Sequence, residues 1–122
     1  MTDLATIVAL REASDAAWDA VRDTASAFES AINDALTTDF PRATPKHYGQ
    51  RAWYVGRDVA LYLWFGRDHD RAFAWESEIR VLGLRRSRGS GPTPYAAVCA
   101  ALEALDDTEA RDALRAAVEA TR

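Results

Sequence analysis

The sequence has little of several things, and each scarcity excludes something. A single cysteine, Cys99, stands in 122 residues, so no disulfide can form within the chain and nothing points to an oxidising compartment. Lysine is nearly absent: Lys46 is alone beside fourteen arginines, a bias that reads as high genomic GC content more than as a contact surface. The apolar run Val59 to Phe65 has seven residues, and no run approaches the ~20 that a membrane-spanning helix needs. The start, Met1-Thr2-Asp3-Leu4, has neither the basic nor the apolar stretch of a signal peptide. These features predict a cytoplasmic protein with no membrane contact.

What is present fits a globular protein. Apolar residues make up 48% and charged residues 28%, outside the disordered range. The length suits one domain, expected to span 1–122. Charge is unevenly spread. Residues 1–40 carry eight acids and two bases, residues 41–92 ten bases and five acids, and residues 93–122 six acids and three bases. The whole-chain charge of −4 argues against direct nucleic-acid binding.

Residues 3–38 read as one long helix. Ile7, Leu10, Ser14, Ala17, Trp18, Val21, Ala25, Phe28, Ile32, Ala35 and Leu36 recur at spacings that place them on one stripe. No proline or glycine interrupts them, and Pro41 follows the end. After a linker with Pro41 and Pro45, three strands are predicted: Arg51–Val55, Val59–Phe65 and Arg71–Leu82. Gly56-Arg57-Asp58 and Gly66-Arg67-Asp68-His69-Asp70 separate them as turns. Arg85 to Pro92 reads as a flexible basic loop. Thr93 and Pro94 then open a helix as N-cap and first residue, with Val98, Ala101, Leu102 and Leu105 on its core face. Asp106 opens the last helix, with Glu109 completing the cap. The expected fold class is α+β: a long N-terminal helix packed on a three-stranded antiparallel β-meander, followed by two C-terminal helices (α-β-β-β-α-α).

Strand residues alternate between faces. Val59, Leu61, Leu63 and Phe65 share one face with Phe73, Trp75, Ile79 and Val81, and the long helix is expected to cover it. The other face carries Tyr54, Tyr62, Trp64, Glu76, Glu78 and Arg80. Aromatic rings beside charge suit a binding surface, unless the C-terminal helices lie on that face and make the rings core. Arg85, Arg86 and Arg88, before a helix N-terminus, form a candidate anion-binding loop, although the P-loop pattern GxxxxGK[ST] is absent.

Asp58 before the second strand and Glu76-Ser77-Glu78 on the third, between flanking helices, resemble the PD-(D/E)xK nuclease core. In that family an Asp and a (Glu/Asp)-x-Lys hold a divalent metal beside a phosphodiester. The resemblance would give Asp58, Glu76 and Glu78 that role, but the lysine position holds Glu78. Asp68-His69-Asp70 is a possible metal turn with no partner ligand in sight, His47 being distant in sequence; turn chemistry alone accounts for it. Cys99, in an alanine-rich helix, reads as a small buried hydrophobe.

The reading that follows is a small non-enzymatic interaction domain. Its aromatic sheet face and basic loop would meet a protein partner or a second copy. No catalytic residue, metal ligand or cofactor is assigned. Asp15, Asp19 and Asp23 along the first helix open an alternative, an acidic nucleic-acid mimic that inhibits a nucleic-acid enzyme. A metal-dependent or degenerate nuclease relative is a further one.

Overall fold

A computed structural model describes residues 3–44, 49–67 and 72–122. Helix α1 spans Leu4–Asp39. Four strands follow, β1 (Gln50–Val55), β2 (Val59–Arg67), β3 (Phe73–Val81) and β4 (Leu84–Gly91), then helices α2 (Pro94–Ala104) and α3 (Thr108–Glu119). The chain divides into two compact units, Met1–Ala31 and Ile32–Arg122.

The first unit is helical. Asp3 caps it: its carboxylate accepts the Thr6 N–H at 2.9 Å, and this bond holds the Asp3 carboxyl below its ordinary pKa. Without a proline or glycine the helix runs unbroken through Asp39, a length of about 54 Å.

In the second unit the strands form one antiparallel sheet in the order β1-β2-β3-β4. The fourth strand corrects the expectation of a loop at Arg85–Pro92. Leu82 and Gly83 both take positive φ, 54° and 78°, and make a two-residue hairpin turn that sends the chain back along β3. The Leu82 N–H donates to the Asp58 carbonyl at 2.7 Å, tying this turn to the one between β1 and β2. The β3–β4 register slips once: Arg80 faces Arg85, but Ile79 faces Ser87, which leaves Arg86 as the extra residue of a bulge.

The packing face of the sheet is the one read from the sequence, but its cover differs. Trp53, Leu61, Leu63, Trp75 and Ile79 are buried together with Val98, Leu102, Leu114 and Val118 of α2 and α3. Of α1, the contributors to this core are Ile32 and Leu36, joined by Phe40 just beyond its end. The long helix was expected to bury its stripe there; Ile32 and Leu36 of it are buried in this core. Each large side chain enclosed contributes roughly 1.5–3 kcal/mol.

Helix α2 sits on a floor of small residues. The Ser77 and Ser87 hydroxyls donate to the Ala97 and Ala101 carbonyls at 2.6 and 2.5 Å. A Cβ on Gly89 would collide with the backbone of Ala97 and Ala101. Hydrogen bonds and close backbone contact therefore seat α2, together with the burial of Val98 and Leu102. Thr93 caps it, accepting from Ala96 N at 3.1 Å. Asp107 caps α3 through Ala110 N at 3.0 Å, one residue later than the expected Asp106.

Candidate interaction surface

The sheet face away from α2 and α3 is assembled from the alternate residues of each strand. Pairing aligns them in cross-strand rows: Ala52, Tyr62, Glu78 and Arg88; Gln50, Trp64, Glu76 and Ser90; Tyr54, Ala60, Arg80 and Arg85. The register thus brings together Tyr54, Tyr62, Trp64, Glu76, Glu78 and Arg80, all assigned from the sequence, and adds Arg85 and Arg88. It does not bring Arg86, whose bulge position lines a separate hollow with Val81, Leu105, Asp106 and Asp107. The C-terminal helices bond to Ser77 and Ser87 on the opposite face, so the alternative in which they bury these rings does not describe the fold.

The charges on this face are satisfied by one another. The Glu76 side chain, 3% exposed, accepts from Arg88 Nη2 at 2.6 Å and from Ser90 Oγ at 3.2 Å. Glu78 accepts from Arg80 Nε at 2.8 Å and lies 3.9 Å from Arg85 Nε. Hydrogen bonding to Glu78 raises the Arg80 pKa. Two of the bases expected to wait for an anion, Arg85 and Arg88, therefore lie beside strand acids. Tyr54 remains 52% exposed and meets Tyr62 edge-to-face, with centroids 6.2 Å apart. Tyr62 and Trp64 are half-buried.

The nuclease-like acids do not converge. Asp58 sits in the turn before Val59, whereas Glu76 pairs with Trp64. Five to six residues of strand separate them, roughly 17–20 Å at the usual rise. Among the described residues no cluster of three His, Cys, Asp or Glu side chains is placed to hold a metal. His47 and Asp68-His69-Asp70 lie outside the described residues. Among those described, no helix is long and apolar enough to cross a membrane.

The N-terminal unit holds a second surface that the sequence reading misplaced. Leu4, Ile7, Val8, Leu10, Trp18, Val21 and Phe28 are between 46% and 75% exposed. Ser14, Ala17, Trp18 and Val21 outline a shallow hollow of about 170 Å³ on the helix surface. Ile7, Leu10, Trp18, Val21 and Phe28 belong to the stripe that the spacing predicts to be covered by the sheet; Leu4 and Val8 do not.

No protein-family model, curated protein or solved structure matches this chain. Its chemistry is read from its own residues.

Two polar sites escaped sequence reasoning. Tyr95 donates its hydroxyl to Glu119 Oε1 at 2.7 Å, and the Arg122 guanidinium lies 3.6 Å from its ring centroid. The bond to Glu119, then Cys99 and burial, push the Tyr95 pKa up to about 12. Its backbone N–H donates to Asp39 Oδ2 at 3.0 Å, so this residue joins the end of α1 to both C-terminal helices. Arg51 is the other. It is buried on the packing face, donates from Nη1 to the Gln50 carbonyl, and among the described residues its Nε has no hydrogen-bond partner. Burial pushes its pKa down. No spacing rule reveals a strand arginine turned inward.

Proposed function

We propose that this chain is a protein-interaction module whose docking element is the apolar seam of α1 within residues 4–31. The observation that carries the reading is the exposure of seven large apolar side chains along that one segment. Scattered exposed apolar residues are ordinary, but a continuous apolar face marks a surface that associates. Most helical stability in proteins comes from packing. A partner on the seam would supply both the burial and the packing.

The open sheet face is the second candidate, supported by the exposed Tyr54 and its edge-to-face contact with Tyr62. Its ion pairs are already formed, so a partner there would be held by aromatic area more than by charge. The mimic reading draws on the exposed acids of α1, but Asp15 and Asp19 are each engaged by an arginine of the same helix. That pairing weakens their resemblance to a phosphate ladder.

The test replaces Trp18 and Val21 together by Glu. Association, followed as molar mass by light scattering, should be lost while the unfolding free energy of the 32–122 core stays within the range of surface substitutions, about ±0.5 kcal/mol. Unfolding of that core by the same change would identify the seam as core and sink the reading.

A further inference from the structure

We propose that the occupant of the seam is a second copy of this chain, with residues 8–31 of the two copies pairing as an antiparallel coiled coil. The proposal rests on the interaction reading above and names its partner.

Leu4, Ile7, Arg11, Ser14, Trp18, Val21, Ala25 and Phe28 alternate spacings of three and four. That average of 3.5 residues keeps a seam turned toward a second helix through a left-handed supercoil. Val8 and Leu10, also exposed, flank this seam on either side. The hollow on the helix adds a second observation. Its lining residues, Ser14, Ala17, Trp18 and Val21, are related by steps of three, one and three. Four residues so placed form the hole that receives one side chain from a facing coiled-coil helix.

Charge and size select the second copy and its direction. In a parallel, in-register pair Arg11 would face Arg11 and Trp18 would face Trp18 in the seam. The flanking pairs would be Leu10 with Asp15, Ala17 with Arg22 and Thr24 with Glu29, none of opposite charge. An antiparallel pair centred between Trp18 and Val21 removes these conflicts. Trp18 then faces the second copy's Val21, and small Ser14 faces small Ala25. Arg11 lies over the second copy's Phe28, where a guanidinium over a ring is favourable. Along the flank Asp15 meets Arg22. The neighbouring register, one heptad away, would set Asp15 against Asp15. Two-fold symmetry makes each favourable contact twice. Within one helix Arg11 pairs with Asp15 at 3.1 Å and Arg22 with Asp19 at 3.4 Å. Both pairs are solvent-exposed and weak enough to rearrange.

The test uses the full chain with Cys99→Ser as background. Ser14→Cys combined with Ala25→Cys in one chain should oxidise to a disulfide-linked dimer in a glutathione buffer, and neither substitution alone should do so. Without added cysteines the chain should have the mass of a dimer, and Trp18→Glu should return it to a monomer. Linkage through Ser14→Cys alone would mean a parallel pair and overturn the proposal. So would a dimer that survives Trp18→Glu. A chain that stays monomeric up to on the order of 100 μM also overturns it, and amide hydrogen exchange then separates two cases. Fast exchange over residues 4–31 leaves the seam awaiting a different protein, which sinks only the second copy. Slow exchange there means the chain covers its own seam, and the interaction reading fails as well.

Discussion

Helix α1 carries one apolar period and gives it two fates. At Ile32 and Leu36 the stripe is buried in a core shared with the sheet and with α2 and α3. From Leu4 to Phe28 the same period continues, and its large side chains are exposed. Nothing local distinguishes the two segments: both are helical, both lack glycine and proline, and both carry acids on the other side. Amphipathic spacing states that a face is to be covered. It does not state by what, and one uninterrupted helix can divide its face between its own fold and another molecule.

The contrast can be broken most sharply at Leu36. Leu36→Ala should destabilise the 32–122 unit by about 2–5 kcal/mol, measured by urea unfolding. Leu10→Ala, a like change on the exposed segment, should leave the stability of that unit within about 0.5 kcal/mol. Equal losses would mean that the two segments share one core. Gly89→Ala should cost about 3 kcal/mol, because the added Cβ meets backbone that cannot yield; a Tm unchanged by this substitution would remove the close seat of α2. Arg88→Ala should cost about 1–3 kcal/mol by leaving the buried Glu76 carboxylate with Ser90 alone. Glu76→Gln in the same chain should recover part of that loss, as read by thermal unfolding.

The smallest effect concerns the tie at the end of α1. The Tyr95 pKa is raised from 10.0 to about 12, so the folded protein favours the neutral phenol. Its contribution is complete below pH 10 and is lost as pH rises through about 12. Tyr95→Phe should lower stability at neutral pH by about 0.5–1 kcal/mol and flatten the alkaline fall. An unchanged alkaline limb would show that Glu119 does not hold the hydroxyl in solution.

Much of the fold was legible because its signals are local. The alternation in β2 and β3 gave both faces in the correct phase, and Thr93-Pro94 marked the start of α2. Strand β4 was not legible. Arg85-Arg86-Ser87-Arg88-Gly89-Ser90-Gly91 has no β-branched or aromatic residue, and its inward positions are small because they receive an alanine-rich helix, not large side chains. Gly83 was the available sign, two residues after the last β-branched residue of β3, but leucine is an unusual neighbour for it at positive φ. The candidate sheet site was legible as a set of residues. Its saturation was not, since buried Glu76 finds its base, Arg88, on the strand that went unread.

The bulge at Arg86 has a consequence for how this sequence can vary. It works as a frame shift written into the strand. With Arg86 in place, Ser87 and Gly89 point at α2 while Arg88 points away to Glu76. Pairing Arg86 regularly against Ile79, with no bulge, would exchange the two sets downstream, presenting a guanidinium to the helix seat and stranding the Glu76 carboxylate. Deleting Arg86 would only remove the bulge and leave Ser87 opposite Ile79, whereas losing or adding a residue between Ser87 and Gly91 would change the face of every residue beyond it. Insertions and deletions in any descendant of this chain should therefore collect in its turns and at the bulge and spare Ser87 to Gly91.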